Sequence, residues 1–114
     1  MSQNVKFKLI VTIVNKGQCS KVLDASREAG AEGGTILRGR GSGIHEKAKL
    51  FSLTIEPEKD LILTLVPETL SKQVLSAIVK ASELDEPGHG IAFILDIDQT
   101  AGINHPVKTS VEDS

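Results

Sequence analysis

The strongest constraint on the fold of this chain is that its strand-like segments are apolar on both faces. Residues 7–14 read FKLIVTIV, in which alternate positions place phenylalanine, leucine, valine and isoleucine on one face. Ile10 and Val14 make the second face apolar as well. Residues 61–66 (LILTLV) and 91–97 (IAFILDI) repeat this character. Such runs are typical of strands that are buried on both sides.

Two segments with helical periodicity separate these strands. In the first, QCSKVLDASREAG, small and apolar side chains recur at helical spacing, and Gly30 is placed as the helix-stopping residue. Its stripe comprises Cys19, Val22, Leu23, Ser26 and Ala29. In the second, Pro67 and Glu68 suit a helix start. Its stripe comprises Leu70, Val74, Ala77, Ile78 and Ala81.

The stretch between the two helices contains both strand and loop signals. Residues 35–37 predict a short strand, and residues 39–49 offer little to bury and are predicted to form an exposed loop. Residues 50–55 alternate between apolar and polar side chains and predict a further strand. Residues 56–60 (EPEKD) predict a charged turn.

The resulting order, β-α-β-β-α-β, predicts an α+β, ferredoxin-like sandwich in which two helices cover one face of an antiparallel sheet. The chain has 114 residues, which is enough for one domain, and we assign residues 1–98 to it and residues 99–114 to a polar tail. The uncovered face of the sheet would be apolar and exposed in a monomer. Burial against copies of the same chain, in a homo-oligomer, removes that exposure.

Composition narrows the function classes. The formal net charge is −2, and the only aromatic residues are three phenylalanines, which argues against a nucleic-acid binder. The single Cys19 excludes an internal disulfide. The longest apolar run near the N-terminus, residues 9–14, is too short to span a membrane, so we expect a cytoplasmic protein. No nucleophile–base pair can be assembled, so we expect no enzymatic activity.

Two glycine-containing segments are the candidate ligand sites. RGRGSG, residues 38–43, could turn backbone N–H groups towards an anion while Arg38 and Arg40 supply charge; the plainer interpretation is a solvated surface loop. PGHG, residues 87–90, could form a second anion-binding concavity with His89; the plainer interpretation is a tight turn that needs glycine.

The histidines give a weaker signal. His45, His89 and His105 lack the spacing of a metal site within one chain. His45 and Glu46 could contribute to a metal site that a second copy completes. We therefore keep a trimeric metal-binding module of the CutA type as the alternative function, with no metal ligands assigned.

The chain resembles the PII signal-transduction proteins, the nitrogen regulatory protein P-II family, and in particular its divergent PII-like branch. The resemblance lies in REAGAEGGTILRGRG (residues 27–41), LTLVPETLSKQVLSAIVKA (63–81) and PGHGIAFILDI (87–97), in this order and structural context. It implies a homotrimer with the sheets packed inward, and an adenine nucleotide bound between subunits. It also implies that a loop after the second strand, the T-loop, reports the ligand state to a target protein, such as a membrane transporter.

The resemblance also implies site residues by position. The implied nucleotide-binding residues are Thr35, Gly39, Arg40, Gly41, Leu65, Val66, Gly88, His89 and Gly90. The implied partner loop is residues 39–49, and the residues expected to contact the partner are Arg38, directly before this loop, and Ser42, Gly43, Ile44, His45, Glu46 and Lys47 within it.

The chain departs from the family pattern in three places. It contains no tyrosine, so uridylylation of a T-loop tyrosine is absent. Ile91 stands where the family carries a phosphate-binding lysine, and residues 98–104 (DQTAGIN) lack the usual basic pair. Because each lost cation removes a charge-assisted hydrogen bond, ATP with magnesium and 2-oxoglutarate is a poor match. This leaves three alternatives: an adenine nucleotide (ADP, AMP or ATP), with those of less charge fitting better, another small anion, or no nucleotide.

Overall fold

The computed structural model describes residues 5–41, 48–50, 53–55 and 57–103. Eight elements follow in chain order: β1 (Phe7–Asn15), α1 (Cys19–Glu28), β2 (Thr35–Arg40), β3 (Ala48–Leu50), β4 (Leu53–Ile55), β5 (Glu58–Pro67), α2 (Glu68–Ser82) and β6 (Gly90–Asp96). The predicted α+β, ferredoxin-like fold is confirmed.

The main sheet has four antiparallel strands in the order β2-β5-β1-β6. β1 and β5 are its central strands, and β2 and β6 are its edges. Both helices contact the sheet and pack against each other on one face. This arrangement needs apolar side chains on the helix side of the central strands, which Ile10, Val14, Ile62 and Val66 supply, and the small polar side chains of Thr12 and Thr64 are buried among them.

The core lies between this face and the two helices. Ile10, Val14, Ile62 and Val66 come from the sheet and are at most 1% exposed. They meet apolar side chains of the helices that are also fully buried: Val22, Val74 and Ile78. The predicted helical stripes are confirmed at these positions, and Cys19, as expected of a small thiol, packs partly buried against the core.

The end of α1 follows the predicted chemistry. Ala29 caps the helix, and Gly30 adopts a φ of +118°, which favours glycine over residues with a side chain. The N–H of Gly30 donates to the carbonyl of Arg27 at 3.0 Å, and the N–H of Ala31 donates to that of Ser26 at 2.9 Å. The helix carbonyls are thereby satisfied at the point where the chain turns towards β2.

The predicted charged turn at residues 56–60 is wrong for its last three residues. β5 begins at Glu58, so Lys59 and Asp60 lie in the sheet and pair with both β1 and β2. Both side chains are buried. A strand can hold these charges because each has polar partners from neighbouring elements, which a local sequence pattern does not show.

Two further boundaries differ from the prediction. β2 extends to Arg40, so Gly39 and Arg40 belong to the sheet and not to the exposed loop. The single strand predicted at residues 50–55 is instead divided between β3 and β4, which pair antiparallel with each other. The tail from residue 98 to residue 103 contains neither helix nor strand.

The face of the sheet opposite the helices is apolar across all four strands. In this chain Ile91 is 56% exposed, Leu95 45% and Leu37 46%. The other apolar side chains on this open face are Phe7, Leu9, Val11, Ile13, Leu61, Leu63, Leu65 and Phe93, none of them fully buried. The prediction that the strands are apolar on both faces is confirmed. Among the described helices, neither has the length and apolar character needed to cross a membrane.

Candidate functional site

The two glycine segments leave the same end of the main sheet. β1 and β2 finish at this end, and β5 and β6 start there, as the pairing of Gly39 with Lys59 and of Val14 with Gly90 shows. We call Gly39, Arg40 and Gly41 the loop base and residues 87–90 the glycine turn. The loop base lies at the β2 edge of the sheet and the glycine turn at the β6 edge. Because β5 and β1 lie between these edges, the two segments are roughly 14 Å apart.

The loop base is held by main-chain and ionic contacts. The N–H of Gly41 donates to the carbonyl of Pro57 at 3.1 Å. Arg40 Nη2 lies 3.8 Å from Glu58 Oε2, and Lys16 Nζ lies 2.8 Å from Glu58 Oε1. The hydrogen bond from Lys16 is the main reason that the pKa of Glu58 lies below its ordinary value of 4.5. The exposed Arg40 side chain therefore lies beside the Glu58 carboxylate, whose lowered pKa favours its charged form.

Asp60 lies beside Arg38, the second arginine of this region. Its side chain is fully buried, and its Oδ2 accepts hydrogen bonds from the N–H groups of Gly17 at 2.9 Å and Cys19 at 3.3 Å. Arg38 Nε lies 3.1 Å from Oδ1 without hydrogen-bond geometry. Arg38, which we expected in the partner loop, thus lies within β2 on the helix side of the sheet, beside a buried carboxylate.

Two side chains that the sequence pattern does not single out link β5, the strand paired with the loop base, to the glycine turn. Lys59, only 7% exposed, donates from Nζ to Asn15 Oδ1 at 2.8 Å. Asn15 Nδ2 in turn donates to the carbonyl of Gly88 at 3.1 Å. These partners lie 44 and 73 residues apart in sequence, so no local motif could have indicated them.

Within the glycine turn, the backbone itself requires glycine. Gly88 has a φ of +83° and Gly90 a φ of +137°. A Cβ at Gly90 would lie 2.3 Å from the carbonyl oxygen of Ile13. His89 is partly exposed, with Nδ1 3.6 Å from Glu83 Oε1. The tight turn that we had kept as the plainer interpretation is therefore present, and it leaves His89 available to a ligand.

A cavity of about 280 Å³ lies beside the glycine turn on the helix side. It is bounded by the end of β1, the start of α1 and the end of α2. Its lining residues are Val14, Asn15, Gln18, Lys21, Ser82, Glu83 and His89. Among them, His89 is a predicted ligand residue, and Asn15 is the residue that hydrogen-bonds both Lys59 and Gly88.

Three of the implied nucleotide-binding residues lie elsewhere. Leu65 and Val66 are near the end of β5, about 20 Å along the strand from Lys59. Val66 is fully buried in the core and Leu65 is 38% exposed on the open face. Thr35 is exposed at the start of β2, about 13 Å from Gly39. A single chain does not bring these residues to the glycine turn.

Several expected site residues cannot be placed. Ser42, Gly43, Ile44, His45, Glu46 and Lys47 lie outside the described residues, as does His105. Within the described part of the chain, no three His, Cys, Asp or Glu side chains form a group that could hold a metal ion.

Comparison with known proteins gives a family match and matches to many solved structures. The family model described as nitrogen regulatory protein P-II matches residues 7–105. No curated protein matches the chain. Among solved structures, a Bacillus cereus protein related to NIF3 superposes with a TM-score of 0.63 at 20% sequence identity. The match covers 86% of this chain but only 27% of that one, and at this identity it shows the fold alone.

Proposed function

Because this chain belongs to the nitrogen regulatory protein P-II family, as its resemblance predicted, we propose that it is a regulatory protein that binds a small effector between subunits. The effector contacts the loop base and the glycine turn. Residues 41–49 then present the ligand state to a target protein. The protein acts as a regulator and not as an enzyme, and the expected cytoplasmic location is part of this proposal.

One observation carries the proposal: the two glycine segments leave the same end of the sheet but from its opposite edge strands. A ligand of nucleotide size could contact both only if a second copy brought its own edge strand alongside. The open apolar face supplies a reason for such an assembly, because it would be buried between copies. We therefore propose the homotrimer that is usual in the family.

The residues at this end suit a ligand of moderate negative charge. Arg40 and His89 are partly exposed at the two segments, and the glycine turn offers backbone N–H groups. Ile91, 56% exposed, adds apolar surface where a further cation would be needed for a triphosphate. We propose ADP or AMP ahead of ATP.

Assembly also decides which of the implied residues can take part. Thr35 and Leu65 are exposed and could reach a ligand from a neighbouring copy. Val66 is buried beneath the helices, so we leave it out of the proposed site. Residues 42–47 stay in the proposed partner loop. A membrane transporter is the first class of target protein to test.

Titration calorimetry with AMP, ADP, ATP and cyclic AMP tests the proposal, with Arg40→Ala and Lys72→Ala as matched variants. Both change an exposed cation, but Lys72 lies on α2, away from the loop base. We expect one nucleotide to bind with a dissociation constant below about 1 mM. Arg40→Ala should weaken binding about tenfold, because a charge-assisted hydrogen bond is lost, while Lys72→Ala should not. If none of the four binds the parent protein in this range, the nucleotide proposal is wrong.

A further inference from the structure

The amide of Asn15 makes two hydrogen bonds that point in different directions. Its oxygen accepts from the Lys59 ammonium at 2.8 Å, and its nitrogen donates to the Gly88 carbonyl at 3.1 Å. An asparagine amide offers both a donor and an acceptor, so one side chain can hold two partners at once. Both contacts are partly buried, which strengthens them relative to contacts in water.

Strand pairing extends this bridge to the loop base. Lys59 lies directly opposite Asn15 on β1 and directly opposite Gly39 on β2. The bridge therefore runs from the loop base through Lys59 and Asn15 to the glycine turn. The two segments lie on opposite edges of the sheet, and these two central-strand residues cover the distance between them.

We propose that Asn15 is a positioning residue that couples the glycine turn to the loop base. A displacement of Gly88 pulls on the Asn15 amide, and this amide cannot turn towards Gly88 without changing its bond to Lys59. Lys59 in turn lies opposite Gly39 in the loop base, from which the partner loop continues. The proposal rests on the proposed function for its biological meaning, since in that function the effector contacts both segments and the partner loop continues from the loop base to the target.

Amide hydrogen exchange without any nucleotide tests this coupling directly. The N–H of Gly41, bonded to Pro57, reports on the loop base, and the N–H of His89, bonded to the Glu86 carbonyl, reports on the glycine turn. We expect Asn15→Ala to lower protection at both amides, roughly three- to tenfold, the range set by loss of one ordinary hydrogen bond. Lys59→Met changes the far end of the bridge, and we expect it to lower protection at His89 as well.

Two further variants separate coupling from a general loss of stability. Asn15→Asp keeps an oxygen that accepts from Lys59 but removes the donor to Gly88, so it should lower protection at His89 and spare Gly41. Gln73→Ala is the matched control, because Gln73 also donates from its side-chain amide to a backbone carbonyl, that of Ala29 at 2.8 Å, away from the bridge. It should leave both reporter amides unchanged.

Either of two results would contradict the coupling. If Lys59→Met leaves His89 unchanged, or if Gln73→Ala lowers both amides as Asn15→Ala does, there is no specific coupling. Adding 5 mM ADP (about a saturating dose for sub-millimolar binding) to the same samples tests the proposed function separately. If ADP does not change the protection of the parent protein but the variants show the expected pattern, ADP as the effector is contradicted and the coupling is supported.

Discussion

Asp60 shows how a single buried carboxylate organises the end of the sheet where the candidate site lies. It accepts the two N–H groups at the start of α1 and lies against Arg38 from β2. A buried charge is stable only with such partners, and the partners in turn lose their acceptor if the carboxylate is removed. The same residue therefore supports both the first helix and the strand that leads to the loop base.

We expect Asp60→Ala to lower the free energy of unfolding by about 3 kcal/mol, because it leaves buried N–H groups without an acceptor. Asp60→Asn retains one oxygen acceptor and should cost less. Asp24→Ala, which removes an exposed carboxylate from α1, is the control and should have little effect. Urea denaturation measures all three. A loss for Asp60→Ala no larger than for Asp24→Ala would show that the buried carboxylate contributes nothing.

Residue-scale chemistry was only partly predictable from the sequence. The glycine turn could be predicted because closely spaced glycines have a recognisable local pattern, whereas Gly39 and Arg40 were expected in an exposed loop and lie in β2. Asn15 and Lys59 could not, because their roles depend on partners from distant parts of the chain. The sequence pattern indicated only that Asn15 ends a strand, and it placed Lys59 in a charged turn.

At the scale of elements, β1 and both helices were predicted because their periodicity is long and regular. The start of β5 was missed because its charged residues are paired across strands, and cross-strand pairing leaves no local signal. The β3–β4 pair was missed because alternation in a short segment does not show where a chain reverses. Boundaries therefore depended on tertiary contacts, whereas the type of each long element did not.

The pairing of β1 with β6 gives a test at this scale. A Cβ at Gly90 would clash with the carbonyl of Ile13, whereas a Cβ at Gly41 would meet nothing within 4 Å. We expect Gly90→Ala to lower the free energy of unfolding by about 2 kcal/mol, because φ is positive and the strands must separate. Gly41→Ala should be nearly neutral. Thermal unfolding compares the two, and equal melting temperatures would contradict the described β1–β6 pairing.

At the scale of the whole molecule, the main feature is the open face, the apolar side of the sheet opposite the helices. Leucine, isoleucine, valine and phenylalanine side chains cover one side of a four-stranded sheet, and the helices already occupy the other side. Large exposed apolar patches of this kind mark interaction surfaces. The proposed effector site needs an assembly in which burial of this face also brings the edge strands of different subunits together.

The molar mass in solution tests this account most directly. Multi-angle light scattering coupled to size exclusion, at micromolar protein, should give a mass three times that of the 12.2 kDa chain. A folded protein that elutes at the mass of one chain would leave the open face exposed and the two glycine segments apart. That result would contradict the proposed site between subunits.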